Sequence, residues 1–91
     1  MIVSWDSKKN AINKRKHGID FDYAKLVFAD PHRVELYDVE HSESEDRYIV
    51  IGMIANLVVV VYTMRKDTYR IISARKATKA ERNYYDKICN S

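Results

Sequence analysis

The chain has 91 residues, a formal net charge of +3 and one cysteine, Cys89, which excludes an intramolecular disulfide and a cysteine-paired zinc site. Two glycines and one proline exclude a low-complexity or disordered composition, and the length fits a single domain, 1–91, with a thin core. The opening Met1-Ile2-Val3-Ser4-Trp5-Asp6 lacks a secretory pattern, and the longest apolar run, Leu57 to Tyr62, falls far short of the ~20 residues of a membrane span, so the expectation is a cytoplasmic protein with no membrane partner.

Ile2 to Trp5 reads as a short strand. Asp6 or Ser7 caps a helix running to about His17, and Gly18 supplies the left-handed residue that ends it. This helix has only Ala11 and Ile12 as a narrow inward stripe, while Trp5, Asp6, Asn10 and Asn13 read as structural groups that cap and orient it. Asp20 caps a second helix whose Phe21, Ala24, Val27 and Phe28 recur at helical spacing, with Phe21, Leu26 and Phe28 expected in the core. Asp30-Pro31 stops it, because a proline disfavours helical geometry in the residue before it.

Four strands follow: Arg33 to Val39, Arg47 to Ile54, Leu57 to Arg65 and Thr68 to Arg75. The third is the most apolar and is expected at the centre, buried on both faces. Pairing Ile54 with Leu57 and Arg65 with Thr68 sets Arg70 opposite Thr63 and Thr63 opposite Tyr48, with Arg65 diagonal to them. Arg47, Met64 and Tyr69 then form a row on the other face. Thr78 and Glu81 make a capping box that opens a closing helix containing Tyr84, Tyr85 and Ile88. The order β-α-α-β-β-β-β-α predicts an α+β fold, helices packed against a twisted antiparallel sheet.

The charge is unevenly distributed. Lys8, Lys9, Lys14, Arg15, Lys16 and His17 form one basic block, and Arg65, Lys66, Arg70, Arg75, Lys76, Lys79 and Arg82 form a second. The acids gather between Glu35 and Asp46. Such a layout can present a polyanion-binding face. No nucleophile elbow frames a serine, and no glycine-rich phosphate loop occurs. His32 and His41 sit among acids without metal-ligand spacing and are assigned to the surface or core, so no metal or other cofactor is expected. What remains suits RNA cleavage without a metal. Guanidinium groups stabilise charge on a phosphate, a histidine or perturbed lysine moves protons, and a tyrosine such as Tyr48 or Tyr84 stacks a base.

Two motifs make the chain resemble a known family. Trp5-Asp6, Lys9-Asn10, Asn13, Lys16-His17-Gly18-Ile19, Phe21, Ala24, Val27-Phe28 and Asp30-Pro31 carry the first. Arg70-Ile71-Ile72-Ser73-Ala74-Arg75-Lys76-Ala77-Thr78 with Glu81-Arg82 and Tyr85 carry the second. Arg47, Ile51-Gly52 and the run Val58 to Thr63 lie between them. The pattern resembles the BrnT toxins, departing from it at the short, glycine-free turn Ala55-Asn56 and at Met64. The resemblance implies a RelE-like fold and a translation-arresting ribonuclease. It also implies a BrnA-like antitoxin, a ribbon-helix-helix protein through which alone the toxin would meet operator DNA. On that resemblance His17, Arg65, Arg70 and Arg75 are expected to be catalytic, and Lys16, Arg47, Tyr48 and Lys76 to bind RNA. A basic module that binds RNA without chemistry, or one that only docks an acidic protein, would use the same arginines and stays open.

Overall fold

The computed structural model describes residues 2–90. A five-stranded sheet in the order β1-β5-β4-β3-β2 carries helices on both faces. Its strands are β1 (Ile2–Trp5), β2 (Val34–Tyr37), β3 (Tyr48–Met53), β4 (Leu57–Arg65) and β5 (Thr68–Lys76). Helices α1 (Ser7–His17) and α2 (Phe21–Ala24) follow β1, and α3 (Lys79–Cys89) closes the chain.

The local signals place the helix ends. Asp6 accepts the N–H groups of Lys8 and Lys9, and Gly18 at φ 72° ends α1 in the left-handed region that favours glycine. Asp20 caps α2, and Thr78 with Glu81 forms the capping box of α3. The second helix is not continuous: after one turn it tightens into a 3₁₀ segment, Lys25–Ala29, that ends at Asp30. Tightening changes the face presented. Val27 and Phe28 are buried, whereas Leu26, expected in the core, is 46% exposed.

The sheet is mixed, not wholly antiparallel. The β2–β3, β3–β4 and β4–β5 pairs are antiparallel, but β1 runs parallel to β5, with Val3 beside Tyr69 and Trp5 beside Ile71. The long connection that a parallel pairing requires runs through α1, α2 and the three strands β2 to β4, the helices carrying the chain from one edge of the sheet to the other. As expected, β4 is central, and Val58, Val59, Val60, Tyr62 and Thr63 are buried. One face of the sheet packs Val50, Val58, Val60, Tyr62, Ile71 and Ala74 against Phe21, Ala24, Val27 and Phe28. Gly52 is required there, since a Cβ would lie 2.7 Å from the Val27 Cβ and 2.9 Å from its carbonyl oxygen. The opposite face packs Val34, Ile51, Leu57 and Val59 against Tyr85 of α3.

Helix α1 is held by polar groups. Ala11 and Ile12 do not turn inward: both are exposed, Ile12 by 60%. The buried residue of α1 is Asn13. Strand β1 pairs only with Thr68 to Ile71, which leaves the rest of that β5 edge without a strand partner. The Asn13 amide fills the gap. Its Nδ2 donates to the carbonyls of Ala74 (2.9 Å) and Ile19 (3.0 Å), and its Oδ1 accepts the Ala74 N–H (3.0 Å). One turn earlier, Asn10 accepts the Phe21 N–H at 2.9 Å and donates to Asp20 at 3.2 Å.

Asn13→Ala should therefore be among the most damaging substitutions in the helix. It leaves buried backbone groups of Ala74 and Ile19 unpaired, at a cost on the order of 2–4 kcal/mol. Thermal melting should show the loss, and hydrogen exchange should show the Ala74 amide opening well before the amides of β4.

Candidate active site

The end of β5 is out of simple alternation. Thr63 pairs with Arg70 and Tyr62 with Ile71, yet Val61 pairs with Ser73, so a bulge inserts Ile72 as an extra residue. Arg70 and Arg75 are an odd number of positions apart and in a regular strand would lie on opposite faces. The bulge restores them to one face, because their partners Thr63 and Val59 share one side of β4.

That face is only partly covered by α3. Its open part holds a hollow of about 390 Å³. Ile49, Val61 and Ile72 supply apolar lining, with Ser73, Arg75, Arg47, Asp38, Glu40 and His41 as the polar groups. A second, smaller hollow of about 230 Å³ shares Ile72 and Ser73 with the first. It lies against α1 and is lined also by Lys9, Asn13, Lys16 and His17. The bulge thus joins two depressions, one of mixed charge on the sheet and one basic, at the C-terminal turn of α1.

Arg75 makes the most side-chain hydrogen bonds of the cations lining the hollows. Its two terminal nitrogens reach the two carboxylate oxygens of Glu81 at 2.7 and 2.9 Å, and one also donates to the Lys76 carbonyl at 3.3 Å. This forked contact holds the Glu81 carboxyl at about 2, against an ordinary 4.5, and raises the Arg75 guanidinium further. Glu81 can reach because α3 is pinned one turn later. The Tyr85 hydroxyl donates to Asp30 at 2.5 Å, and the same carboxylate accepts the N–H groups of Met53 and His32, both at 2.8 Å. Burial pushes Asp30 up, but these three donors outweigh it and leave the carboxyl below its usual range. Burial and the Asp30 charge together push the Tyr85 hydroxyl well above the usual phenol value.

The expected site residues separate into groups. Arg47 and Arg75 line the first hollow, and Lys16 and His17 line the second. Arg70 shares the face of Arg75 and donates to Ser4 Oγ at 3.5 Å. Arg65 lies on that face at the β4–β5 turn, 59% exposed and 3.9 Å from Glu45. Tyr48 and Lys76 are elsewhere. In the observed register Met53, not Ile54, pairs with Leu57, a one-residue slip that turns every β3 side chain over. Tyr48 therefore faces Tyr62, with ring centroids 5.5 Å apart, on the face away from Arg70. Lys76 pairs with Val58 and lines a hollow beside Lys14, Asp20 and Tyr23.

Among the lining residues assigned no role from sequence are His41 and Asp38. His41 Nδ1 lies 3.0 and 3.2 Å from the two oxygens of Asp38, which is buried. The spacing Asp38-x-x-His41 was the available signal, though in a loop it carries no fixed geometry. Among the described residues no group of three or more His, Cys, Asp or Glu side chains is arranged to hold a metal ion. None of the described helices is long and apolar enough to cross a membrane.

Residues 5–81 match the family model described as "Ribonuclease toxin, BrnT, of type II toxin-antitoxin system". No curated protein matches the chain.

The Glu81–Arg75 pair makes a specific acid sensitivity. A carboxyl depressed by folding contributes stability that is complete above its ordinary value of 4.5 and disappears as pH falls through about 2. With Arg75 about a third exposed, solvent screening reduces the contribution to roughly 1–2 kcal/mol. Melting temperatures measured from pH 5 to pH 2 should fall less steeply for Glu81→Gln than for the parent chain.

Proposed function

The chain belongs to the BrnT family of ribonuclease toxins of type II toxin–antitoxin systems, and from that membership we propose that it cleaves RNA without a metal ion at the joined hollows of the open sheet face. The observation that carries this reading is Arg75: a guanidinium fixed by Glu81, beside Arg47, and joined through Ile72 and Ser73 to Lys16 and His17. A phosphate lying over the bulge would meet cations from both the sheet and α1.

The chemistry follows from the side chains. The 2′-hydroxyl attacks the adjacent phosphorus, and negative charge builds on the phosphate oxygens. Arg75 stabilises that charge because its fork is already aimed and needs no reorganisation as the charge develops. Two N–H groups on each terminal nitrogen and one on Nε leave donors free beyond those held by Glu81 and Lys76. Arg47 and Lys16 hold flanking phosphates, and Arg70 and Arg65 extend the track along the same face. His17, at the mouth of the second hollow, donates a proton to the departing 5′ oxygen. Tyr48 and Lys76, on the other face, have no part in this reading.

The wider setting comes from the family. A type II toxin has a protein antitoxin as partner. We take that antitoxin to be a BrnA-like ribbon-helix-helix protein, with operator DNA bound only through the complex, and the toxin to have a RelE-like fold and to arrest translation in the cytoplasm. A basic module that binds RNA without cutting it is the rival.

Purified chain incubated with RNA in excess EDTA should yield fragments ending in 2′,3′-cyclic or 3′-phosphate. Loss of cleavage on chelation, restored by a divalent cation with 3′-hydroxyl ends, would replace the mechanism with a metal-activated water. RNA bound but intact would favour the rival. Arg75→Lys keeps the charge and loses the fork. It should lower single-turnover cleavage by on the order of 10²–10³ while changing RNA affinity much less. Equal losses in rate and affinity would make Arg75 a binding residue only.

A further inference from the structure

The loop between β2 and β3 places a histidine and a buried carboxylate in the lining of the first hollow. The loop closes through main-chain and serine contacts. The Asp38 N–H donates to the Arg47 carbonyl at 2.8 Å, and Ser42 Oγ donates to the Asp38 carbonyl at 2.6 Å. The same hydroxyl accepts the Arg47 N–H at 2.9 Å. None of these bonds uses the Asp38 carboxylate. Its two oxygens instead face Nδ1 of His41, although the carboxylate is only 10% exposed and His41 is 63% exposed. A buried carboxylate facing one imidazole nitrogen sets the tautomer: Nδ1 carries the hydrogen and Nε2 is left as an acceptor. Among the described residues Nε2 has no hydrogen-bond partner. The ring lines the same hollow as Arg75 and Arg47.

We infer that His41, oriented by Asp38, is the general base that takes the 2′-hydroxyl proton in the reaction proposed above, on which this assignment rests. His41 Nε2 accepts the proton while the 2′ oxygen forms its bond to phosphorus. The P–O5′ bond breaks with its electron pair on O5′, and O5′ receives its proton from His17. The two histidines finish with their protonation states exchanged, and transfer through solvent resets them. Asp38 is a positioning residue that holds the imidazole through Nδ1. Arg47 takes part in the same loop closure, six residues after His41, so the base and a phosphate-holding cation are delivered to the hollow by one piece of chain.

The test is single-turnover cleavage of an RNA oligonucleotide by the full chain, with His41→Ala, Asp38→Asn, His17→Gln and, as a control outside the hollows, His32→Gln. His41→Ala should lose about 10²–10⁴ in rate, the usual worth of a positioned base, with RNA affinity and melting temperature nearly unchanged. Asp38→Asn should give a smaller loss in the same step, and His32→Gln none. A substrate with sulfur in place of the 5′ oxygen separates base from acid, because a thiolate departs without a proton. It should restore His17→Gln but leave His41→Ala slow. A His41→Ala rate within a few-fold of the parent overturns the proposal, and restoration of His41→Ala by the sulfur substrate overturns the base assignment. A parent chain that leaves RNA intact removes the ribonuclease reading, and this proposal with it. A parent that cleaves normally beside an equally active His41→Ala removes only the latter.

Discussion

The side-chain amide of Asn13 is the constraint on which the site depends. Strand β1 stops short, so β5 continues past Ile71 with one edge unpaired, and an unpaired buried edge is costly unless its polar groups find partners. Asn13 gives Ala74 both a donor and an acceptor, as a neighbouring strand would. It does so from a helix, and the consequence is positional. The C-terminal turn of α1, with Lys16 and His17, is held against Ile72 and Ser73. A sixth strand, or a β1 of ordinary length, would keep that turn and its cations away from the β5 bulge.

The second anchor works through a helical stripe. Glu81, Tyr85 and Cys89 follow one another at four-residue spacing along α3, and each touches the body of the protein. Glu81 meets Arg75, Tyr85 meets Asp30, and the Cys89 sulfur lies 3.8 Å from the His32 carbonyl. Asp30 is thereby shared by the 3₁₀ segment's exit, the end of β3 and α3. Its carboxylate collects three donors, which outweigh burial and keep the acid below its usual range. The arrangement lets α3 cover only the half of its face formed by Val34, Ile51, Leu57 and Val59. The other half, with Arg47, Arg70 and Arg75, meets α3 through the Arg75–Glu81 contact and holds the first hollow. Glu81 has a double role, capping the helix by accepting the Thr78 N–H and aligning the arginine by the same carboxylate.

The bulge at Ile72 is a small feature with a large effect on the geometry of the candidate site. One extra residue brings Arg70 and Arg75 to the same face and lets the two hollows meet. Bulges recur beside active sites for this reason: they re-aim a side chain without breaking the strand. The hollow itself is lined by β3, β4, β5 and the β2–β3 loop, so no single element contains it.

Much of the fold was legible in the residues because the signals were local. Asp6, Asp20 and Thr78 cap helices by bonding their own neighbours, Gly18 adopts a conformation that few other residues tolerate, and the run Leu57 to Arg65 is too apolar to lie anywhere but the centre. The two terminal motifs, which cover the first basic block and most of the second, likewise carried the family. What the tertiary structure decided was everything that depends on one element meeting another. The parallel pairing of β1, the slip that turns Tyr48 away from Arg70, the exposure of Leu26 and the polar docking of α1 through Asn13 all follow from contacts distant in sequence. Strand register has a period of two, so one residue of slip or one bulged residue reverses a face, and no local propensity distinguishes the alternatives. The Asp38–His41 pair was unreadable for a related reason: a helix or strand gives a spacing its meaning, and a loop gives it none until the chain has folded.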